Sequence, residues 1–366
     1  MGSPYGFAAS ALSSFATSFK FKKPNDMSSN PIRLSILDQS PIRQGGTAAD
    51  ALSETIRLAQ HAEKLGFHRF WVAEHHATPS LAGASPEIMV TRVAAATNSI
   101  RVGSGGVMLS HYSPYKVAEN FQLLETMFPG RIDLGIGRAP GSDQRTNQAL
   151  AYGSQIGIDY FPNKIADLAA FQHDTLAADH TFSGVKALPA TTGHPPIWLL
   201  GSSDYSAAYA AHFGIAFSFA QFISPHGGDA VMQSYRDQFK PSDLLDAPKA
   251  NLGVFVMCAD TEEQARRLAS SRELARLWRD RGSFVPLPSV EEAMAYEYSA
   301  AETRHIMNFR ERSIVGTPEQ VRDKLTTMSK RYGVDEFVVL TACYDFADRI
   351  RSYALLAEAF DITPKG

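Results

Sequence analysis

From residue 32 onward, short runs of β-branched and aromatic residues alternate with stretches whose apolar positions recur three and four apart. That alternation is the pattern of a parallel sheet assembled from βα units. The first strand is read at 32–37 (IRLSIL), followed by the polar turn DQSPIRQGG. Thr47 with Asp50 then gives a helix-start signal, Leu52, Ile56, Ala59 and Ala62 fall on one helical face, and Gly66 stops the helix. Further strands are expected at 67–73, 100–105 and 132–137. Between the last two, Val117, Phe121, Leu124 and Met127 repeat at helical spacing until Pro129 and Gly130 break the pattern.

After Pro140 the alternation lapses for roughly 55 residues, too long for an ordinary connection, so an insertion with helical stretches at 143–152 and 164–176 is expected. Strands resume at 197–200 and 215–220, with a helix at 203–212 between them. A seventh strand at 252–258 leads into a charged helix at 262–280, and a second interruption covers 282–312. Thr317, Pro318 and Gln320 supply an N-cap, a proline at the first helical position and a capping-box partner. Val321, Leu325 and Met328 make the inner face of that helix, Gly333 ends it, and an eighth strand (337–340) precedes a last helix over 350–360. Eight such units predict a (β/α)8 TIM barrel with insertions after strand 4 and after strand 7. An open, doubly wound sheet is the alternative, because counting strands does not establish closure.

At 366 residues and 44% hydrophobic, the chain can bury a large core, and barrels of this size commonly form one domain. Residues 27–366 are therefore read as a single domain. Residues 1–26, rich in Ser, Ala and Phe and without an acid before Asp26, read as a transit-like or vector-derived leader ahead of a natural start at Met27. A net charge of −3 with no Lys/Arg run argues against nucleic-acid binding. The longest apolar runs are strand-sized, far below the roughly 20 residues of a membrane span. Cys258 and Cys343 lack metal-ligand spacing and read as buried, reduced thiols of a cytoplasmic protein.

In a barrel the working groups lie just past the carboxyl ends of the strands. Here those positions are Asp38, Gln39 and Ser40; Glu74, His75 and His76; Gly105 and Gly106; Arg138; and Gly201, Ser202 and Ser203. All are expected at one mouth. Arg138 either pairs with a nearby carboxylate or clamps a phosphate in two-pronged fashion. The segment GSSDYSAA at 201–208 favours the phosphate, since it brings hydroxyls and free N–H groups to a helix start, whether or not Ser202 or Ser203 also caps that helix. GIGRAP at 135–140 is not a dinucleotide fingerprint: its sixth position is proline and no acid follows at the required distance. His75 and His76 are adjacent on a strand end and point to opposite sides, so no metal site is expected. His75 is taken as the functional member, His76 as support.

The motifs WVAEHH (71–76), VGSGGV (102–107), GRIDLGIGR (130–138), LLGSSDYSAA (199–208) and VGTPEQV (315–321) occur in an order that resembles the luciferase-like flavin-dependent monooxygenases of the single-subunit type. The resemblance spans residues 32–360. It implies a TIM barrel that binds reduced FMN, or in one branch F420, at its carboxyl face. Arg138, Ser202 and Ser206 would hold the flavin phosphate with Tyr205 nearby, and Gly201 and Ser203 belong to the same loop. Gly105-Gly106 matches the place of a non-proline cis peptide beneath the flavin ring, and His75 matches a histidine that acts as acid or base. The chain departs from luciferase at Gly137, where a cysteine stands, and at Gly201, where an acid stands, which argues against light emission. The resemblance thus implies a monooxygenase that oxidises a small organic substrate with O2, is fed by a separate flavin reductase and forms a homodimer. An F420-dependent oxidoreductase and a non-catalytic flavin-binding protein are the alternatives. Residues 141–195 are expected to close over the ring as a lid.

Overall fold

The computed structural model describes residues 31–138, 143–153 and 158–363. The leader at 1–26, the start at Met27, and Ala139 and Pro140 of the arginine motif lie outside the described residues. Ten strands form one sheet: β1 (Arg33–Asp38), β2 (Arg69–Val72), β3 (Arg101–Ser104), β4 (Val107–Met108), β5 (Ile132–Gly137), β6 (Ile197–Gly201), β7 (Ala216–Ala220), β8 (Ala250–Cys258), β9 (Ser313–Gly316) and β10 (Glu336–Leu340). Eight of them pair in parallel in the order β1, β2, β3, β5, β6, β7, β8, β10. Closure comes from β10, whose Phe337 faces Leu34 of β1 on one side and Leu252 of β8 on the other. The (β/α)8 barrel is thereby established and the open sheet set aside.

Twelve α-helices surround it: α1 (Ala48–Leu65), α2 (Pro86–Ala94), α3 (Pro114–Met127), α4 (Gln144–Ala151), α5 (Phe161–His173), α6 (Asp204–Phe213), α7 (Gly228–Gln238), α8 (Glu262–Asp280), α9 (Val290–Ala295), α10 (Ala300–Arg310), α11 (Pro318–Tyr332) and α12 (Phe346–Ala359), counted among the described residues. Each of α1, α2, α3, α5, α6, α7, α11 and α12 packs on the next, and α12 packs back on α1, so these eight are the barrel ring. The additions follow the fourth barrel strand, β5, and the seventh, β8, but their extents differ from those expected. The helix α5 belongs to the ring, so the additions after the fourth barrel strand are the stretches flanking it. After β8, the addition begins earlier than the sequence pattern suggested. It takes in α8, α9, α10 and β9, and the ring helix of that unit is α11. The short helices α2 and α7 and the strands β4 and β9 were not expected from the pattern.

Local signals act as read at most ends. Thr47 and Asp50 form a reciprocal capping box, and Gly66 closes α1 with φ +89°. The buried stripe of α1 is Ala51, Thr55, Leu58, Ala59 and Ala62, rotated slightly from the expected one, which leaves Leu52 and Ile56 half-buried. On α3, Met127 points out to solvent instead of inward.

The amino-terminal half of the barrel interior holds charge. Arg69 is fully buried and bonds Asp133 Oδ2 and Glu336 Oε1 at 2.6 Å each, while Arg101 holds the other Asp133 oxygen at 2.6 Å. The guanidinium of Arg69 lies 4.8 Å from the Trp198 ring centroid, and Trp198 meets Trp71 edge to face at 5.4 Å. Burying such a cluster is tolerable only because every charge is opposed and hydrogen-bonded. The tryptophans cap it, leaving the carboxyl half free for a cavity.

Candidate active site

At the carboxyl mouth a cavity of about 400 Å3 opens, within the range of small-molecule and cofactor sites. Its wall brings together Gln39, Glu74, His75, Gly105, Gly106, Arg138, Gly201, Ser202, Ser203 and Ser206, contributed by the ends of five different strands. Leu37, Trp71, Leu200 and Val338 make its base apolar. Three expected neighbours are turned elsewhere. Asp38 is bonded at 2.6 Å to buried Arg349, Ser40 bonds Thr55 at 2.8 Å, and His76 bonds Glu74 at 2.6 Å. Tyr205 is 68% exposed and stands off the wall, with its ring centroid 5.7 Å from the Arg138 guanidinium carbon. It can support the arginine through its ring face rather than touch a bound molecule.

The floor is shaped by what lies behind it. The Gly105-Gly106 peptide is cis. A Cβ at Gly105 would stand 2.6 Å from Leu37 Cδ1 and 3.0 Å from Trp71 Cβ, and one at Gly106 would stand 2.8 Å from the Gly135 carbonyl. Packing from below therefore excludes side chains at both positions, and the backbone itself is presented to the cavity. A flat aromatic system can approach it closely.

One end of the cavity is built for an anion. Ser203 is the N-cap residue of α6, yet its hydroxyl does not cap the helix and instead lies 3.4 Å from the Ser206 hydroxyl. The first-turn N–H groups of Asp204 and Tyr205 have no partner inside the helix and carry its positive end. Arg138 faces this terminus from the end of β5, and Ser110 anchors its backbone by donating to the Arg138 carbonyl at 3.0 Å. Two serine hydroxyls, a helix start and a guanidinium around one space suit a phosphate.

His75 lines the same cavity from the end of β2. Its backbone N–H donates to the Gly83 carbonyl at 2.8 Å, while its ring Nδ1 is buried without a hydrogen-bond partner. Burial, then the positive charge of Arg279 and the neighbouring His76, push its pKa down to about 4. At neutral pH the ring is therefore uncharged, and its buried Nδ1 is left open to a proton-exchanging partner. Beside it, buried Glu74 accepts from His76 Nε2 and the Tyr112 hydroxyl at 2.6 Å each and from the Met108 N–H at 2.9 Å. Glu74 thus ties the end of β2 to the strand segment that follows the glycine floor. Its role, and that of Tyr112, left no mark in the sequence, because both depend on a contact across more than thirty residues. Ser218 and Gly253, inside β7 and β8, also line the cavity and were not singled out; Phe222, two residues past the end of β7 and expected to be a packing residue, lines it as well.

The barrel mouth thus joins two serine hydroxyls, a helix start and a guanidinium with a glycine floor and an uncharged imidazole. The family model described as luciferase-like monooxygenase matches residues 32–336, and the chain belongs to that family. It is 42% identical over 330 residues to the N-acetyl-S-alkylcysteine monooxygenase of Bacillus subtilis (strain 168), a match covering 90% of this chain and 98% of that protein. The structure of apo-MsnO8 superposes with a TM-score of 0.84 at 39% identity, covering 91% of this chain and all of the other. A more distant likeness of fold, TM-score 0.67 at 18% identity over 90% of this chain and 97% of the other, is to the oxygenating constituent of 3,6-diketocamphane monooxygenase from Pseudomonas putida in complex with FMN.

Proposed function

We propose that the protein is an FMN-dependent monooxygenase that uses reduced FMN and O2 to oxidise a small organic substrate. The observation that carries this reading is the single cavity in which Arg138, Ser202, Ser203 and Ser206 face the Gly105-Gly106 floor. Arg138, the serine hydroxyls and the start of α6 would hold the phosphate; the glycine floor and apolar base would seat the ring. Bound reduced FMN would supply two electrons, so that one oxygen atom of O2 enters the substrate and the other leaves as water. Within that reaction His75 accepts a proton at Nδ1, the Glu74 network fixes the strand end carrying it, and the mouth keeps water from the reacting atoms.

No second nucleotide motif is present in the sequence, so a separate reductase supplies the reduced flavin, in line with the oxygenating-constituent character of the FMN-bound fold relative. Buried, unpaired Cys258 and Cys343 suit a reducing cytoplasm. Residues 27–366 act as one domain; α5 packs in the ring, and the lid expected at 141–195 falls partly, at 141–142 and 154–157, outside the described residues. A homodimer is supported by the exposed Ile88, Leu123 and Met127, which share one groove between α2 and α3. Anaerobic titration with reduced FMN and with reduced F420 tests the reading. Tight binding of FMN that Arg138→Ala weakens is expected; preference for F420 or indifference to the arginine overturns it.

A further inference from the structure

A second cavity of about 370 Å3 adjoins the first and shares Gln39, His75, Phe222 and Ile223 with it, so both cavities border the same imidazole. Its charge is one-sided. Arg272, Arg276 and Arg279 of α8 stand at i, i+4 and i+7, one stripe of the helix, and Arg312 joins them from just before β9. No Asp or Glu lines the cavity among the described residues. Arg276 pairs with Asp280 at 2.8 Å, and that carboxylate is shared with His305. The other three arginines have no carboxylate partner among the described residues.

Two of those three are preorganised. The Arg272 guanidinium carbon lies 3.4 Å from the Phe255 ring centroid and 4.4 Å from that of Phe309, and its Nη1 donates to the Ser313 hydroxyl at 3.3 Å. With its faces covered by rings, the planar group offers only its edge. Arg312 donates Nη1 to the Ile223 carbonyl at 3.1 Å and keeps a buried Nε without a partner. Like charges at helical spacing repel, and this chain is acidic overall, so such a stripe costs stability unless an anion is bound. Burial and the charges of Arg279 and Arg276 hold the Arg272 pKa well below its ordinary value, the electrostatic sign of that crowding. The wall also carries apolar Leu81, Val285, Leu287 and Leu340, beside the uncharged polar side chains of Gln39, Ser80 and Ser283.

We propose that this cavity is the substrate side of the flavin site and that the substrate is a small organic oxyanion, a carboxylate or sulfonate with an apolar body. The charged end pairs with Arg272, Arg279 and Arg312, and the apolar body packs on the leucines and Val285 near His75. The assignment of this ligand as substrate rests on the flavin reading of the adjoining cavity; the anion site itself does not.

Calorimetric titration of the full chain with hexanoate and with its neutral counterpart hexanamide tests the proposal. Hexanoate should bind at least about tenfold more tightly, the worth of one charge-assisted contact. Arg279→Gln or Arg312→Gln should remove that preference without changing hexanamide binding, and Arg138→Ala should leave it intact. Equal binding of the two probes, binding of neither, or loss of the preference in Arg138→Ala alone would overturn it. Anaerobic titration of the same samples with reduced FMN separates the two readings. Normal flavin binding without an anion preference sinks only this proposal, whereas an anion preference without flavin binding keeps the oxyanion site and removes the flavin assignment.

Discussion

The Ser206 side chain occupies the space that any side chain at Gly201 would need: a Cβ built on Gly201 overlaps both Cβ and Oγ of Ser206. In this protein Gly201→Ala should push the first turn of α6 away from Arg138. It should weaken reduced FMN binding and lower stability by about 1–3 kcal/mol, read by anaerobic titration and urea melts. An unchanged affinity would separate the α6 terminus from cofactor binding.

Arg138→Ala should reduce reduced-FMN affinity by about 2 kcal/mol, the expected loss of a charge-assisted phosphate contact. The melting temperature of the flavin-free protein should stay the same, because among the described residues the guanidinium packs against the ring of exposed Tyr205 and forms no ion pair. Anaerobic titration with reduced FMN and a thermal melt measure the two quantities independently.

His75 links pH to both stability and turnover. Its folded pKa is about 4, against 6.5 for an ordinary imidazole, so the unfolded chain takes up a proton first as pH falls. The stabilisation from keeping this ring neutral is fully present above pH 6.5 and is lost as pH drops towards 4. Denaturant melts of the wild type and His75→Gln should diverge over that window, with the wild type losing up to about 3 kcal/mol more. At neutral pH His75→Ala should lower turnover far more than flavin affinity; equal losses in both would make the residue a support for the ring instead.

The charged base of the barrel should be unforgiving. Asp133→Asn removes the partner of both Arg69 and Arg101, leaving a fully buried guanidinium underpaired, and should destabilise the protein by about 3–5 kcal/mol. Although burial alone would raise it, the pKa of Asp133 is held below the ordinary range by Arg69 and Arg101. Its contribution is therefore present at neutral pH and lost only in strong acid. Equilibrium unfolding of the variant at pH 7 measures the effect.

Leu123 is 49% exposed in the groove between α2 and α3. Leu123→Asp should shift a dimer towards monomer without altering flavin affinity at saturating protein concentration. Light scattering coupled to size exclusion reads the mass directly; an unchanged mass would point the subunit contact elsewhere.

Most strands and caps were legible because their signals are local. The strand Ile132–Gly137 follows from five apolar or glycine positions between two turns, and the capping boxes at Thr47 and Thr317 from side chains three residues apart. The rule that barrel chemistry gathers past strand ends then located His75, Gly105, Gly106, Arg138 and the 201–206 loop on one cavity. The same rule over-counted at Asp38 and Ser40, since it cannot say which of successive residues turns inward and which meets a buried partner such as Arg349.

What the chain determined by itself was the succession of strands and helices and the ordered motifs of a cofactor mouth, because hydrophobic period, caps and glycines act over a few residues. Only the tertiary structure decided that β10 closes the ring, that α8 leaves the barrel to turn its arginine stripe towards His75, and that Arg69, Asp133 and Glu336 meet beneath the tryptophans. Those outcomes join residues tens to hundreds of positions apart, where burial and charge neutralisation act and local sequence period carries no information.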